Sequence, residues 1–200
     1  MTAIAYKDGV LVGDSLLCWE SGNLCYRAGL CDKVHKYHKD GQIVYWAESG
    51  DCQEAGAYIE SLFEFINAPW GTTFKDPFPD DETAGIACYG GRVLDIYANA
   101  TPVVGLCAKG TGKTFALGVM EYGGTAIDAV ATAIELDVYS GYPIQGFNVR
   151  TGEEIFIANK EKYTRLRDQS KLSKNGLCTC KQRTEVPKLG AEDDPQIPVS

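Results

Sequence analysis

The residues best suited to chemistry in this 200-residue chain begin at its second position. Removal of Met1 would leave Thr2 at the start of the chain, and a terminal threonine joins a hydroxyl nucleophile to an α-amine that can serve as its base. The stretch Ile4 to Asp14 reads as two short strands around Asp8-Gly9, a dipeptide that accepts the positive φ angles of a two-residue hairpin turn. Such a turn sets Asp14 opposite Ala3, beside the threonine. Lys33 opens a later strand. Asp137 and Ser140 stand three apart at the end of a predicted helix, so both can face one site.

Other chemistries fit less well. Gly110-Thr111-Gly112-Lys113-Thr114 resembles the end of a phosphate-binding loop, but Cys107 stands where that motif needs its first glycine. His35 and His38 would point to opposite faces of a strand and so do not form a metal pair. Cys178-Thr179-Cys180 with Cys25 and Cys31 lacks both the Cys-x-x-Cys spacing and a nearby histidine, so no metal or cofactor is expected. The eight cysteines, without a secretory signal, read as reduced thiols. In that setting the sequon Asn99-Ala100-Thr101 is without consequence. A net charge of −8 argues against nucleic-acid and anionic-membrane partners. No apolar run has membrane-spanning length, and a cytoplasmic location is expected.

The elements that would position these residues alternate in type. Strands are expected at 33–37 and 42–47, split by Lys39-Asp40-Gly41, and residues between Asp14 and Lys33 read as a loop. A helix is expected from Cys52 to Asn67, with Tyr58, Ile59, Leu62 and Phe63 at helical spacing. A hairpin around Gly90-Gly91 and a strand at Val103–Ala108 follow. Two helices come next, at Thr114–Tyr122 and Thr125 to about Tyr139, the second opened by a Thr125/Asp128 capping box. Strands return at 145–149 and 154–158. Strands, helix, strands, two helices and strands in that order imply an α+β fold with separate layers. Residues 1–159 form the expected domain, and 160–200 a polar, partly flexible extension.

Five segments together resemble the N-terminal-nucleophile hydrolases, above all proteasome β subunits and the bacterial HslV peptidase. They are the hairpin from Thr2 to Asp14, Asp32-Lys33-Val34, Ala47-Glu48-Ser49-Gly50-Asp51-Cys52, Gly110-Thr111-Gly112 and Asp137-Val138-Tyr139-Ser140-Gly141. The resemblance implies a four-layer αββα sandwich of two antiparallel sheets. It implies a threonine protease in which Thr2 is the nucleophile, Asp14 holds Lys33, and Lys33 supports the hydroxyl. Thr111, Asp137 and Ser140 would set the amine, and the backbone at Ala47 would donate to the oxyanion. By the same correspondence Cys31, Tyr45 and Ser49 line the substrate pocket, and Glu48 sets a carboxylate beside the scissile carbonyl. The implied partners are a peptide or protein substrate, a homo-oligomeric ring and an ATPase or other regulator. Two further readings share the scaffold. One is a non-peptide amide hydrolase; the other is a catalytically inactive structural or assembly protein that retains Met1, as in a virus particle.

Overall fold

The computed structural model describes residues 2–21, 24–50, 55–69, 72–75, 77, 83–97 and 99–175. Met1–Arg165 forms one compact unit and Leu166–Ser200 a second. The first strands, β1 (Ile4–Lys7) and β2 (Val10–Asp14), pair antiparallel with Ile4 opposite Gly13, the register set by the Asp8-Gly9 turn. Both turn residues have positive φ, 53° and 87°. After them come β3 (Leu16–Ser21), β4 (Leu24–Leu30), β5 (Val34–Lys39), β6 (Gln42–Ser49) and helix α1 (Ala55–Asn67). Strands β7 (Ala84–Tyr89), β8 (Arg92–Ile96), β9 (Ala100–Pro102) and β10 (Leu106–Lys109) follow. The chain continues with α2 (Lys113–Glu121), α3 (Ala126–Leu136), β11 (Ile144–Asn148), β12 (Glu154–Ile157) and α4 (Lys160–Asn175).

Two five-stranded antiparallel sheets result, ordered β10-β1-β2-β11-β12 and β5-β6-β7-β8-β9. Alternation along each strand then builds three cores. Ile4, Tyr6 and Leu11 of the first sheet meet Val34, Tyr45, Ala47 and Ile86 of the second. Their neighbours Ala5 and Val12 face outward and pack under Ala116, Met120, Ala129 and Val130 of α2 and α3. On the far side, Val44 and Trp46 pack under Tyr58, Ile59 and Leu62 of α1. The layers are therefore helices, sheet, sheet, helix: an α+β, αββα sandwich. Alanines at 116, 126, 129 and 133, all at most 1% exposed, let α2 and α3 sit close to the first sheet and to each other.

The structure departs from the sequence-based expectation in four places. Residues between Asp14 and Lys33 contain the hairpin β3–β4 rather than a loop. Leu16-Leu17-Cys18 and Leu24-Cys25-Tyr26 are strand-forming runs around the turn-favouring Gly22-Asn23. The run Val103–Ala108 is not one strand. β9 pairs with β8 in one sheet, and β10 pairs with β1 in the other. Gly105, at φ 90°, lies where the chain crosses between them. Helix α3 stops at Leu136 because Asp137 is extended, at φ −102° and ψ 115°. Lys160 begins helix α4, whose first turn is tied to α3 by a Tyr163–Asp128 hydrogen bond of 2.7 Å and a Lys160–Glu135 ion pair of 2.6 Å. The predicted start of α1 at Cys52 lies outside the described residues.

Candidate active site

The Asp14 carboxylate gathers four donors from four parts of the chain. Its Oδ1 accepts from the Ala3 amide at 2.8 Å and the Lys33 ammonium at 3.0 Å. Its Oδ2 accepts from the amides of Leu16 at 3.1 Å and Gly141 at 3.0 Å. The hairpin register makes the first of these possible, since Asp14 N–H in turn donates to the Ala3 carbonyl at 3.0 Å. Lys33 Nζ donates additionally to the Leu16 carbonyl at 2.7 Å. Both charges are buried, with side chains 5% and 0% exposed. Buried charges persist only when paired and hydrogen-bonded, and this pair is both.

A second carboxylate is connected to Thr2 through Thr111. Asp137, at the end of α3, accepts from Thr111 Oγ at 2.6 Å and Ser140 Oγ at 2.9 Å through Oδ2. The Tyr139 amide donates to its Oδ1 at 3.2 Å. Thr111 Oγ also lies 3.5 Å from the Thr2 carbonyl oxygen. The Gly112 amide donates to that same oxygen at 3.2 Å. Glycine is required in this loop: at Gly110, φ 86°, a Cβ would sit 1.9 Å from the Thr2 carbonyl oxygen. At Gly112 it would sit 2.8 Å from the Ala3 Cβ. The loop that resembles a phosphate cradle is thus filled by the start of the chain.

The structure brings together Thr2, Asp14, Lys33, Thr111, Asp137 and Ser140, all buried except Thr111. Ala47 lies in the inter-sheet core, paired in register with Val34 and Ile86. Glu48 does not fulfil its expectation. Strand alternation turns its side chain to the opposite face from Ala47, where Oε2 accepts from Trp46 Nε1 at 2.9 Å and Oε1 lies 3.8 Å from His35 Nε2. Burial lowers the His35 pKa from its ordinary value, against the opposing pull of Asp32. Cys31 is half-buried and its amide donates to the Ser15 carbonyl at 2.9 Å; Ser49 is half-buried at the end of β6. Tyr45 instead runs toward the hairpin turns, its ring 5.2 Å from Phe147. A further pair escaped the sequence reading: Gln145 donates to Ser15 Oγ at 2.7 Å, bracing the residue after Asp14. Nothing but adjacency to Asp14 pointed to it. Among the described residues no cluster of three metal-ligating side chains forms, and no helix is long and apolar enough to cross a membrane.

No family model and no curated protein matches the chain. Solved structures do. A eukaryotic HslV from Trypanosoma brucei superposes with a TM-score of 0.53 at 19% identity, covering 79% of this chain and 99% of that one. Anbu, described as an ancestral β-subunit, from Yersinia bercovieri gives 0.55 at 9% identity, covering 92% and 100%. Anbu from Hyphomicrobium sp. strain MC1 gives 0.55 at 13% identity, with the same coverage. At such identities the likeness concerns the arrangement of elements, and that arrangement is the αββα sandwich described above. The chain therefore shares the αββα fold of the HslV and Anbu structures.

Proposed function

We propose that the chain is a threonine-type peptidase or amide hydrolase that acts once Thr2 carries a free amine. One observation carries the reading. Two carboxylate networks, Asp14–Lys33 and Asp137–Thr111–Ser140, reach the first residues of the chain at the Ala3 amide and the Thr2 carbonyl. In this reaction the Thr2 hydroxyl attacks an amide carbonyl, and its proton passes to the Thr2 amine and on to the leaving amine. The resulting ester is hydrolysed by water, which regenerates the hydroxyl. The Lys33 ammonium, held by Asp14, stabilises the developing alkoxide, and a backbone amide at Ala47 donates to the tetrahedral oxyanion. Asp137, Thr111 and Ser140 orient the amine. Cys31 and Ser49 line the approach. The substrate is a peptide or protein. A homo-oligomer in the cytoplasm, served by an ATPase or other regulator, fits this scaffold; one Anbu neighbour is described as a helical assembly.

A specific observation favours the second reading, an assembly protein without activity, including one in a virion. Thr2 is only 2% exposed, whereas a nucleophile must meet its substrate. Intact mass and a threonine-directed epoxyketone separate the two. Loss of Met1 with one covalent adduct on Thr2, abolished in Thr2→Ala, is the expected result. Retained Met1 and no adduct at any concentration would establish the assembly protein instead.

A further inference from the structure

At the end of the sandwich opposite Thr2, the turns β1–β2, β5–β6, β7–β8 and β11–β12 surround two adjoining cavities of about 920 and 800 Å³. At about 3.3 Å per strand residue, the length of β1 puts them roughly 15–20 Å from Thr2. Each lies within the size range of small-molecule sites. They share Tyr6, Tyr89, Arg92 and Arg150 in their walls, so they form one groove with two halves.

The halves differ in chemistry. Lys36, Arg92 and Arg150 converge on the larger one, each from a different hairpin, and among the described residues no acidic side chain lines it. Among the described residues none of the three forms an ion pair. Arg150 is folded over the first turn, close enough that a Cβ at Gly9 would sit 2.6 Å from its Nε. Lys36 Nζ is held 5.9 Å from the Tyr45 ring centroid. Three unpaired cations around one concavity repel one another, and they do so in a chain whose net charge is −8. The second half is walled by Phe65, Leu94, Pro102 and Val103, with Asp8 as its acid.

We propose that this groove binds a nucleoside phosphate, its phosphates held by Lys36, Arg92 and Arg150 and its base between the tyrosines and the Phe65–Val103 wall. A fatty acid or a peptide C-terminus brings a single charge to three cations. A di- or triphosphate brings several, and the planar guanidinium fork matches phosphate oxygens in pairs. The apolar half supplies the flat, desolvated surface that a base needs and a bare inorganic anion does not. This site is separate from the Thr2 cluster and does not depend on the peptidase reading.

The test is calorimetric titration of the full chain with ATP, tripolyphosphate, adenosine and an Asp/Glu-rich peptide, at low and high salt. ATP is expected to bind saturably and more tightly than tripolyphosphate or adenosine, and more weakly as salt rises. Arg92→Gln/Arg150→Gln, at exposed positions, should lower ATP affinity by about tenfold or more, as expected for loss of two charge-assisted contacts. Val103→Asn, a neutral polar replacement in the apolar wall, should bring ATP down to the level of tripolyphosphate while leaving tripolyphosphate binding nearly unchanged. Absence of saturable ATP binding at millimolar concentration, or unchanged affinity in the double variant, would overturn the proposal. Equal affinity for ATP and tripolyphosphate would remove the base site, and tighter binding of the acidic peptide would reassign the groove to a protein partner.

Discussion

The Asp14 carboxylate and the Gly141 amide, 127 residues apart in sequence, meet in a 3.0 Å hydrogen bond. Through it, the turn after α3 is fixed to the end of the first hairpin. The same turn places Ser140 on Asp137, so the two carboxylate networks are mechanically one. Neither half of the site can shift without straining the other.

Replacement of Asp14 by Asn tests that linkage. The amide keeps the shape but loses the charge that Lys33 and three backbone donors require. Removing one partner of a buried ion pair costs about 3–5 kcal/mol, because the other charge stays buried alone. Urea unfolding of Asp14→Asn should show a loss of this order. A loss below about 1 kcal/mol, the range of exposed pairs, would mean that the carboxylate does not hold these segments together.

Gly110→Ala separates steric demand from backbone strain. A Cβ at Gly110 would meet the Thr2 carbonyl oxygen at 1.9 Å, whereas at Gly90 it would meet nothing within 4 Å, although both glycines have positive φ. Gly90→Ala therefore reports conformational cost alone, about 1 kcal/mol. Gly110→Ala should lose at least a further ~1–3 kcal/mol, the cost of overpacking. Equal midpoints in thermal unfolding would show that the loop and the chain start move apart freely.

Much of this site is legible in the sequence because local rules fix it. Asp8-Gly9 sets the hairpin register, which alone places Asp14 against Ala3. Asp137 and Ser140 also meet as their spacing suggests, though in the turn after α3 rather than within the helix. The face taken by Glu48 was not legible for a physical reason. Val44, Tyr45, Trp46 and Ala47 form an unbroken apolar run because β6 is covered on one side by α1 and on the other by the first sheet. A strand buried on both faces shows no alternation to read. The β9–β10 crossover was hidden likewise: Val103 to Ala108 is apolar throughout apart from Gly105, and only pairing partners reveal that β9, just before it, and β10, at its end, belong to different sheets.

Cys88 and Cys107, buried in the inter-sheet core, make a prediction about pH. Burial pushes the Cys88 thiol up to about 12. Burial, and then the Asp95 carboxylate, push Cys107 up to about 11. At pH 8 both remain thiols in the folded chain, so iodoacetamide should leave them unmodified until denaturant is added. In the unfolded chain they ionise near about 8.5, so above that pH the unfolded state binds fewer protons than the folded one. Stability should therefore fall as pH rises from about 9 toward 11, and Cys88→Ala should lessen the fall. A slope unchanged by that substitution would mean that the Cys88 thiol is not held protonated by the fold.

Thr111 offers the sharpest separation of positioning from packing. Its hydroxyl donates to Asp137 at 2.6 Å, and its exposed side chain fills no core. Thr111→Val should cost about 1.5 kcal/mol, the low end for a hydrogen bond to a charged group, because the side chain is exposed. Under the hydrolase reading it should nevertheless slow epoxyketone addition to Thr2 by about 10-fold or more, the scale of a mispositioned proton carrier. Thr111→Ser retains the hydroxyl and should restore the rate. Adduct formation at equal rates in Thr111→Val and Thr111→Ser would show that Asp137 orients the amine without help from this hydroxyl. A loss in Thr111→Val that the serine variant recovers, at matched thermal midpoints, assigns the effect to the hydrogen bond rather than to the fold.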